Sequence, residues 1–226
     1  MSRYMRQLLA LVWKDLIVEL RTRERIAAMG AFTVLVGVLF NYGLDRSIIR
    51  PQDVAAGWIW MTIIFTGLLG LGRTFELERT EGAMRGVLMS PIPRDAIYLA
   101  KVTANFVLTM TTAVIVFMVF GLFFSLGFGS HPFLLLAVVG LGTLGFTALG
   151  TLFSAVTAGT TMGETLLPIL IFPLLVPMVI YGVTATAGLF AGLPAGEVSG
   201  NLRMLAAFAL VALAAGAGLF RFIVEE

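Results

Sequence analysis

Long apolar runs that contain no Asp, Glu, Lys or Arg alternate along this chain with two charge-dense segments, 3–25 and 73–101. A helix rising about 1.5 Å per residue needs about 20 such residues to cross a hydrocarbon core about 30 Å thick. The first uncharged run, 26–44, ends in a polar turn closed by Arg50 and Pro51, and the second covers 54–72. Residues 102–163 carry no charge at all, a length that fits two spans broken at Phe128-Gly129-Ser130-His131-Pro132. The pattern predicts an all-α polytopic membrane protein, a single transmembrane domain over 1–226 with spans at about 26–44, 54–72, 102–127, 133–158, 165–187 and 204–220. Pro168, Pro173 and Pro177 in the fifth span are expected to kink it. Gly188, Gly192, Pro194 and Gly196 punctuate 187–201, which reads as a re-entrant or interfacial segment on the outer face.

Ahead of the first span, residues 1–25 read as an amphipathic helix. Leu8, Leu9, Val12, Trp13, Leu16 and Leu20 share an apolar side, with Lys14 and Arg21 opposite, so the helix is expected to lie in the plane of the membrane surface. A mixed-charge stretch of this length before a span-length apolar run argues against a cleavable signal peptide.

Composition agrees: 59% of residues are hydrophobic and 12% charged, against roughly 45–50% and 25% for a soluble domain. The net charge of +2 gives no argument for nucleic acid, and the absence of cysteine excludes disulfides and thiolate metal sites. The distribution of charge says more. With the N-terminus inside, the cytoplasmic side receives Arg3, Arg6, Lys14, Arg21, Arg23, Arg25, Arg73, Arg79, Arg85, Arg94, Lys101 and Arg221. Only Arg46, Arg50 and Arg203 fall outside, so the bias in basic residues puts both termini in the cytoplasm.

None of the charged residues falls inside a predicted span. Intramembrane enzymes and ion-coupled carriers usually keep ionisable groups there, because burying a charge in lipid is costly and tolerated for use. Glu164, at the start of span five, reads as a carboxylate favoured by the helix dipole. His131, the sole imidazole, reads as a solvated turn residue, and one His with no Cys cannot supply a zinc ligand set. Trp58, Trp60 and Tyr42 are expected in headgroup-level aromatic belts. Thr62, Thr66 and Gly70, then Thr143, Thr147 and Thr151, then Ala212 and Gly216, recur at intervals that let helices approach closely, by default within the chain.

The remaining feature is 73–101, RTFELERTEGAMRGVLMSPIPRDAIYLAK. It is too long for a tight turn and holds a helix-compatible stretch, 74–89, with charges of both signs. Ser90-Pro91-Ile92-Pro93 stops it, and Asp95 can cap the helix that enters span three. A charged helix held between two spans would act as a lever for whatever grips it. The plain alternative is a solvated connection.

Gly57-Trp58-Ile59-Trp60, Arg73-Thr74-Phe75-Glu76-Leu77-Glu78-Arg79, Glu81-Gly82-Ala83, Ser90-Pro91-Ile92-Pro93, Leu99-Ala100-Lys101, Leu167-Pro168 and Phe172-Pro173-Leu174-Leu175-Val176-Pro177 together resemble the CcmB family of haem exporter B subunits. The resemblance covers essentially the whole chain, including Trp13-Lys14-Asp15 in the first helix. It implies a six-span permease of the ABC-2, or type V exporter, kind with an N-terminal interfacial helix. Such a permease sits in the bacterial inner membrane and serves cytochrome c maturation with a separate CcmA-type ATPase. It further implies CcmC- and CcmD-type membrane subunits and release of the haem-loaded chaperone CcmE. No cofactor is expected on the chain itself: ATP is used through the partner, and haem is cargo of the complex. The sequence indeed has no G-x-x-x-x-G-K-[ST] phosphate loop, so the chain is not expected to be an enzyme. The residues implied to couple to the ATPase are Glu76, Glu78, Arg79, Glu81, Gly82, Arg85, Ser90, Pro91 and Pro93. Another cargo (lipid, polysaccharide or drug), an ion-coupled carrier, a scaffold, and self-association all stay open at this point.

Overall fold

A computed structural model describes residues 3–45, 47–75, 92–127, 131–158, 160 and 162–224. Within them lie seven helices: α1 Arg3–Thr22, α2 Glu24–Gly43, α3 Pro51–Gly72, α4 Arg94–Phe124, α5 Pro132–Thr157, α6 Gly163–Phe190 and α7 Ala195–Val224. No strand occurs among the described residues. The last six helices are each long and apolar enough to cross a bilayer, so the chain is a multi-pass membrane protein. In α3, 67% of the apolar window is buried, against 22% in α2 and in α7, which makes α3 the inner helix of the bundle.

Helix limits differ from the apolar runs where tertiary contacts extend a helix past them. Span three was expected from 102, yet α4 already begins at Arg94 and runs 31 residues, about 46 Å. Its first turns therefore reach beyond a hydrocarbon core, and Lys101 sits inside a helix, buried, instead of closing a loop. The expected re-entrant segment 187–201 does not form. α6 continues to Phe190 and stops in a Schellman turn, with Leu193 N–H donating to Gly188 O (2.9 Å) and Gly192 N–H to Leu189 O (3.1 Å). Gly192 takes φ +77°, the left-handed conformation this motif requires. Pro194 precedes the first residue of α7, so the glycines and proline mark a helix stop and restart, not irregular chain. α6 stays helical through Pro168, Pro173 and Pro177.

Packing corrects a second expectation. Trp60 is no interfacial belt residue: it is 1% exposed, and its indole N–H donates to Thr186 Oγ1 of α6 at 3.0 Å. Trp58 stacks on Phe40 of α2, centroids 4.3 Å apart. Tyr42, at the end of α2, is exposed. Glycines make the room: a Cβ at Gly142 of α5 or Gly182 of α6 would run into the Trp60 ring, at Gly67 into Phe146, and at Gly150 into Leu71. The small-residue stripes pack within the chain. Thr62, Thr66 and Thr147 turn their hydroxyls back to carbonyls of their own helices, and Gly70 and Gly216 receive Met29 and Tyr98.

Gly142→Ala should therefore overpack the α3–α5 contact and cost about 1–3 kcal/mol. Gly140→Ala, on the same helix with nothing within 4 Å of an added Cβ, should be neutral or slightly stabilising. Thermal unfolding of both variants in detergent measures the difference, and equal melting temperatures would refute the packing assigned to Trp60.

Candidate functional site

The charged segment named as the coupling element begins where α3 ends, and the structure describes it to Phe75 and again from Ile92. Glu76, Glu78, Arg79, Glu81, Gly82, Arg85, Ser90 and Pro91 lie outside the described residues. Pro93 is described, as the N-cap residue of α4 with extended backbone (ψ 140°). The structure does describe both roots of the segment, and a network of hydrogen bonds and ion pairs joins them to the neighbouring helices.

A helix ends with carbonyls that have no partner on its own turn, and carries the negative end of its dipole there. At the end of α3 three other elements supply donors, beside the Thr74 N–H that reaches Leu71 O from the chain itself (3.0 Å). Arg25 Nη1 of α2 donates to Gly70 O (3.1 Å), Ser154 Oγ of α5 to Leu71 O (2.8 Å), and Lys101 Nζ of α4 to Thr74 O (3.4 Å). Two of these donors are cations, the sign the dipole favours. Thr74 Oγ1 donates onward to Asn105 Oδ1 (3.3 Å), and Asn105 Nδ2 donates to Thr151 Oγ1 (3.0 Å). Phe75, 3% exposed, lies against Phe220 of α7 and under the Lys101 ammonium, 5.5 Å from its ring centre.

Each cation has a carboxylate from α1. Asp15 Oδ2 lies 3.1 Å from Lys101 Nζ, with both side chains about one-tenth exposed, and Asp15 Oδ1 also meets Lys14 at 3.1 Å. Glu19, 3% exposed, meets Arg25 Nε at 2.5 Å. Its other oxygen accepts the backbone N–H groups of Arg25 (3.1 Å) and Ile26 (3.3 Å). Those are among the first amides of α2, whose N-cap residue, Arg23, makes no side-chain cap. Glu19 thus caps a helix from across the junction, where Arg23 holds φ 56°. At the far end of α1, Tyr4 OH donates to Asp95 Oδ2 in the first turn of α4 (2.8 Å). Partial burial, then the hydrogen bond and charge of Asp95, raise the Tyr4 phenol above its ordinary pKa. The exposed pair Arg73–Glu24, 3.6 Å apart, adds little.

This arrangement splits the apolar side expected of α1. Leu8, Val12 and Leu16 turn toward the bundle with Asp15 and Glu19, while Leu9, Trp13 and Leu20 remain exposed, Trp13 by 64%. The bonding roles of Asp15, Glu19, Arg25 and Lys101 were missed by sequence reasoning, which counted Arg25 toward topology and Lys101 toward topology and the family resemblance. The available signal was two carboxylates four residues apart, Asp15 and Glu19, on a helix rich in Lys and Arg.

Other candidates lie apart from this network. His131 is exposed as the N-cap residue of α5, beside a shallow depression of about 370 Å³ shared with Phe133 and Ala195. Met178 is buried in the core and Met162 is 62% exposed. A groove of about 340 Å³ between α3 and α6, bordered by Trp60, Met61, Phe65 and Phe172, offers only apolar contacts.

Removing Glu19 should be costly for two separable reasons. Glu19→Ala takes the cap from α2, about 1 kcal/mol, and strands a largely buried guanidinium, about 3 kcal/mol more. Glu19→Gln keeps an acceptor for both amides and should lose only part of this. Thermal unfolding should rank wild type above Gln above Ala, and an Ala variant as stable as wild type would refute the bracing role.

Comparison with known proteins agrees with this architecture along almost its whole length. Residues 6–220 match the family described as CcmB protein. The heme exporter protein B of Pseudomonas aeruginosa is 32% identical over 182 residues, 80% of each chain. That of Paracoccus denitrificans is 29% identical over 205 residues, 91% of this chain and 92% of its own. That of Escherichia coli K12 is 30% identical over 101 residues, 43% of this chain and 46% of its own. The chain belongs to the CcmB family.

Proposed function

We propose that this chain is the membrane permease subunit of an ATP-driven haem export complex in cytochrome c biogenesis, placed in the bacterial inner membrane with both termini in the cytoplasm. The observation that carries the reading is the match, over nearly the full chain, to relatives named heme exporter protein B. Six spans return the chain to its starting side, and the bias of Lys and Arg chooses that side.

The chain contains no phosphate-binding loop, so ATP is bound and hydrolysed by a separate CcmA-type subunit. Force reaches the spans through 73–101, with Glu76, Glu78, Arg79, Glu81, Gly82, Arg85, Ser90, Pro91 and Pro93 as the coupling residues. The bonded roots support this: α3, α4, α5 and α1 meet where the segment leaves and returns, so displacement there is passed to several helices together. Haem is cargo of the complex, handled with CcmC- and CcmD-type subunits and passed to a CcmE-type chaperone. This chain offers His131 as its only imidazole and no thiolate.

In a strain lacking its own copy, the wild-type chain should restore c-type cytochromes and co-purify with an ATPase. Reversing Glu78 and Glu81 to Lys should cut cytochrome yield about tenfold or more at unchanged protein level, since like charges across a docked contact cost several kcal/mol. His131→Ala should mature cytochromes as wild type does, and the subunit purified without its partners should show no stoichiometric Soret band. Normal maturation by the charge-reversed chain would reduce 73–101 to a solvated connection. Co-purification with an ATPase but no effect on cytochromes would indicate another cargo.

Topology gives an independent test. Single cysteines replacing Ser2, Thr80 and Glu226 should be labelled only from the cytoplasm, and those replacing Ser47 and Ser130 only from outside. Labelling of the Thr80 position from outside would overturn the orientation and the ATPase contact with it.

A further inference from the structure

We propose that the Asp15–Lys101 ion pair is a joint that makes α1 a moving part of the coupling machinery, so that the N-terminal helix follows the roots of the charged segment. Asp15 and Lys101 are positioning residues in this account, which rests on the coupling role assigned above.

Three observations carry it. The first is the reach of one ammonium group: Lys101 Nζ touches Asp15 of α1, the Thr74 carbonyl beyond α3 and the Phe75 ring, while its backbone belongs to α4. Both root strands and the N-terminal helix thus meet at a single atom. Asn105, one helical turn further along α4, holds the same Thr74 by its hydroxyl. The second is the nature of the pair. Its side chains are about one-tenth exposed, and apolar residues of similar volume usually fill such a place with no loss of stability. A neutral donor would serve the Thr74 carbonyl, so its satisfaction does not by itself call for charge here. The ion pair adds a directional bond that fixes α1 to α4 at one point, beside what their apolar packing transmits.

The third is how α1 is held. It is gripped by polar bonds at Tyr4, Asp15 and Glu19, all toward the bundle, while Leu9, Trp13 and Leu20 on another side are exposed. Its junction with α2 is one residue, Arg23, in the left-handed conformation. Glu19 bridges that junction, holding Arg25 Nε and the Arg25 and Ile26 amides of α2. α1 is thus tied both to the roots and to the start of the first span.

The test uses the whole complex and the double variant D15L/K101M, which removes both charges, so that neither is left without its partner, and takes one donor from the Thr74 carbonyl while Asn105 still holds the Thr74 hydroxyl. The joint predicts normal accumulation and continued ATP hydrolysis, with cytochrome c matured per ATP reduced about tenfold, as expected when a coupling interaction is deleted. Spin labels on cysteines replacing the exposed Leu20 of α1 and Leu219 of α7 supply a second readout. On adding a non-hydrolysable ATP analogue their separation should change by about 2 Å in an otherwise wild-type chain, the scale of helix shifts in switching proteins, and stay fixed in the double variant. Maturation as in wild type by D15L/K101M, or an equal distance change in both chains, would overturn the joint while leaving the coupling reading in place. If the double variant does not accumulate, the label distance in the wild-type background decides alone, and an immobile α1 overturns the proposal. Failure of the wild-type chain to restore cytochromes would instead overturn the functional reading.

Discussion

The constraint on which this bundle most depends is the end of its innermost helix. Gly70, Leu71 and Thr74 present carbonyls at and just beyond the end of α3. Leu71 O also accepts the Thr74 N–H, while Gly70 O and Thr74 O receive cations from α2 and α4. The solution brings a guanidinium, a hydroxyl and an ammonium from α2, α5 and α4 to one place. The two cations then need carboxylates, which obliges a further helix to lie across the same end. Three hydrogen bonds and two ion pairs thereby tie five helices together at the point where the charged segment departs.

How much of this was legible in the sequence follows from what each feature needs. Spans need only a local excess of apolar residues, so 54–72 and 133–158 differ from α3 and α5 by three residues at most. Helix limits need tertiary information where charged residues are paired. Lys101 looked like a loop residue because an unpaired lysine does not belong in a span, and the distant Asp15, with the Thr74 carbonyl and the Phe75 ring, makes its place in α4 tolerable. Trp60 was assigned to an interface by its neighbourhood in sequence, whereas glycines more than 80 residues away prepare its buried site.

The turn after α6 is instructive in another way. Gly192 and Pro194 were correctly taken as breaks, but a break in a membrane protein can be as short as four residues when every freed carbonyl is taken up at once. Counting breakers located the interruption without giving its length. The candidate site was half legible: the charged segment stood out in composition, while its bracing is made of residues that look ordinary one at a time.

The hydroxyl of Ser154 that ties Leu71 O to α5 comes 83 positions later in the chain. At about 5–20 residues per second the ribosome needs about 4–17 s to deliver it. Arg25 and Glu19, by contrast, are already made when α3 emerges. During biogenesis α3 is therefore tied first to its N-terminal neighbours, and its end gains the bond to α5 only once the fourth span has been made.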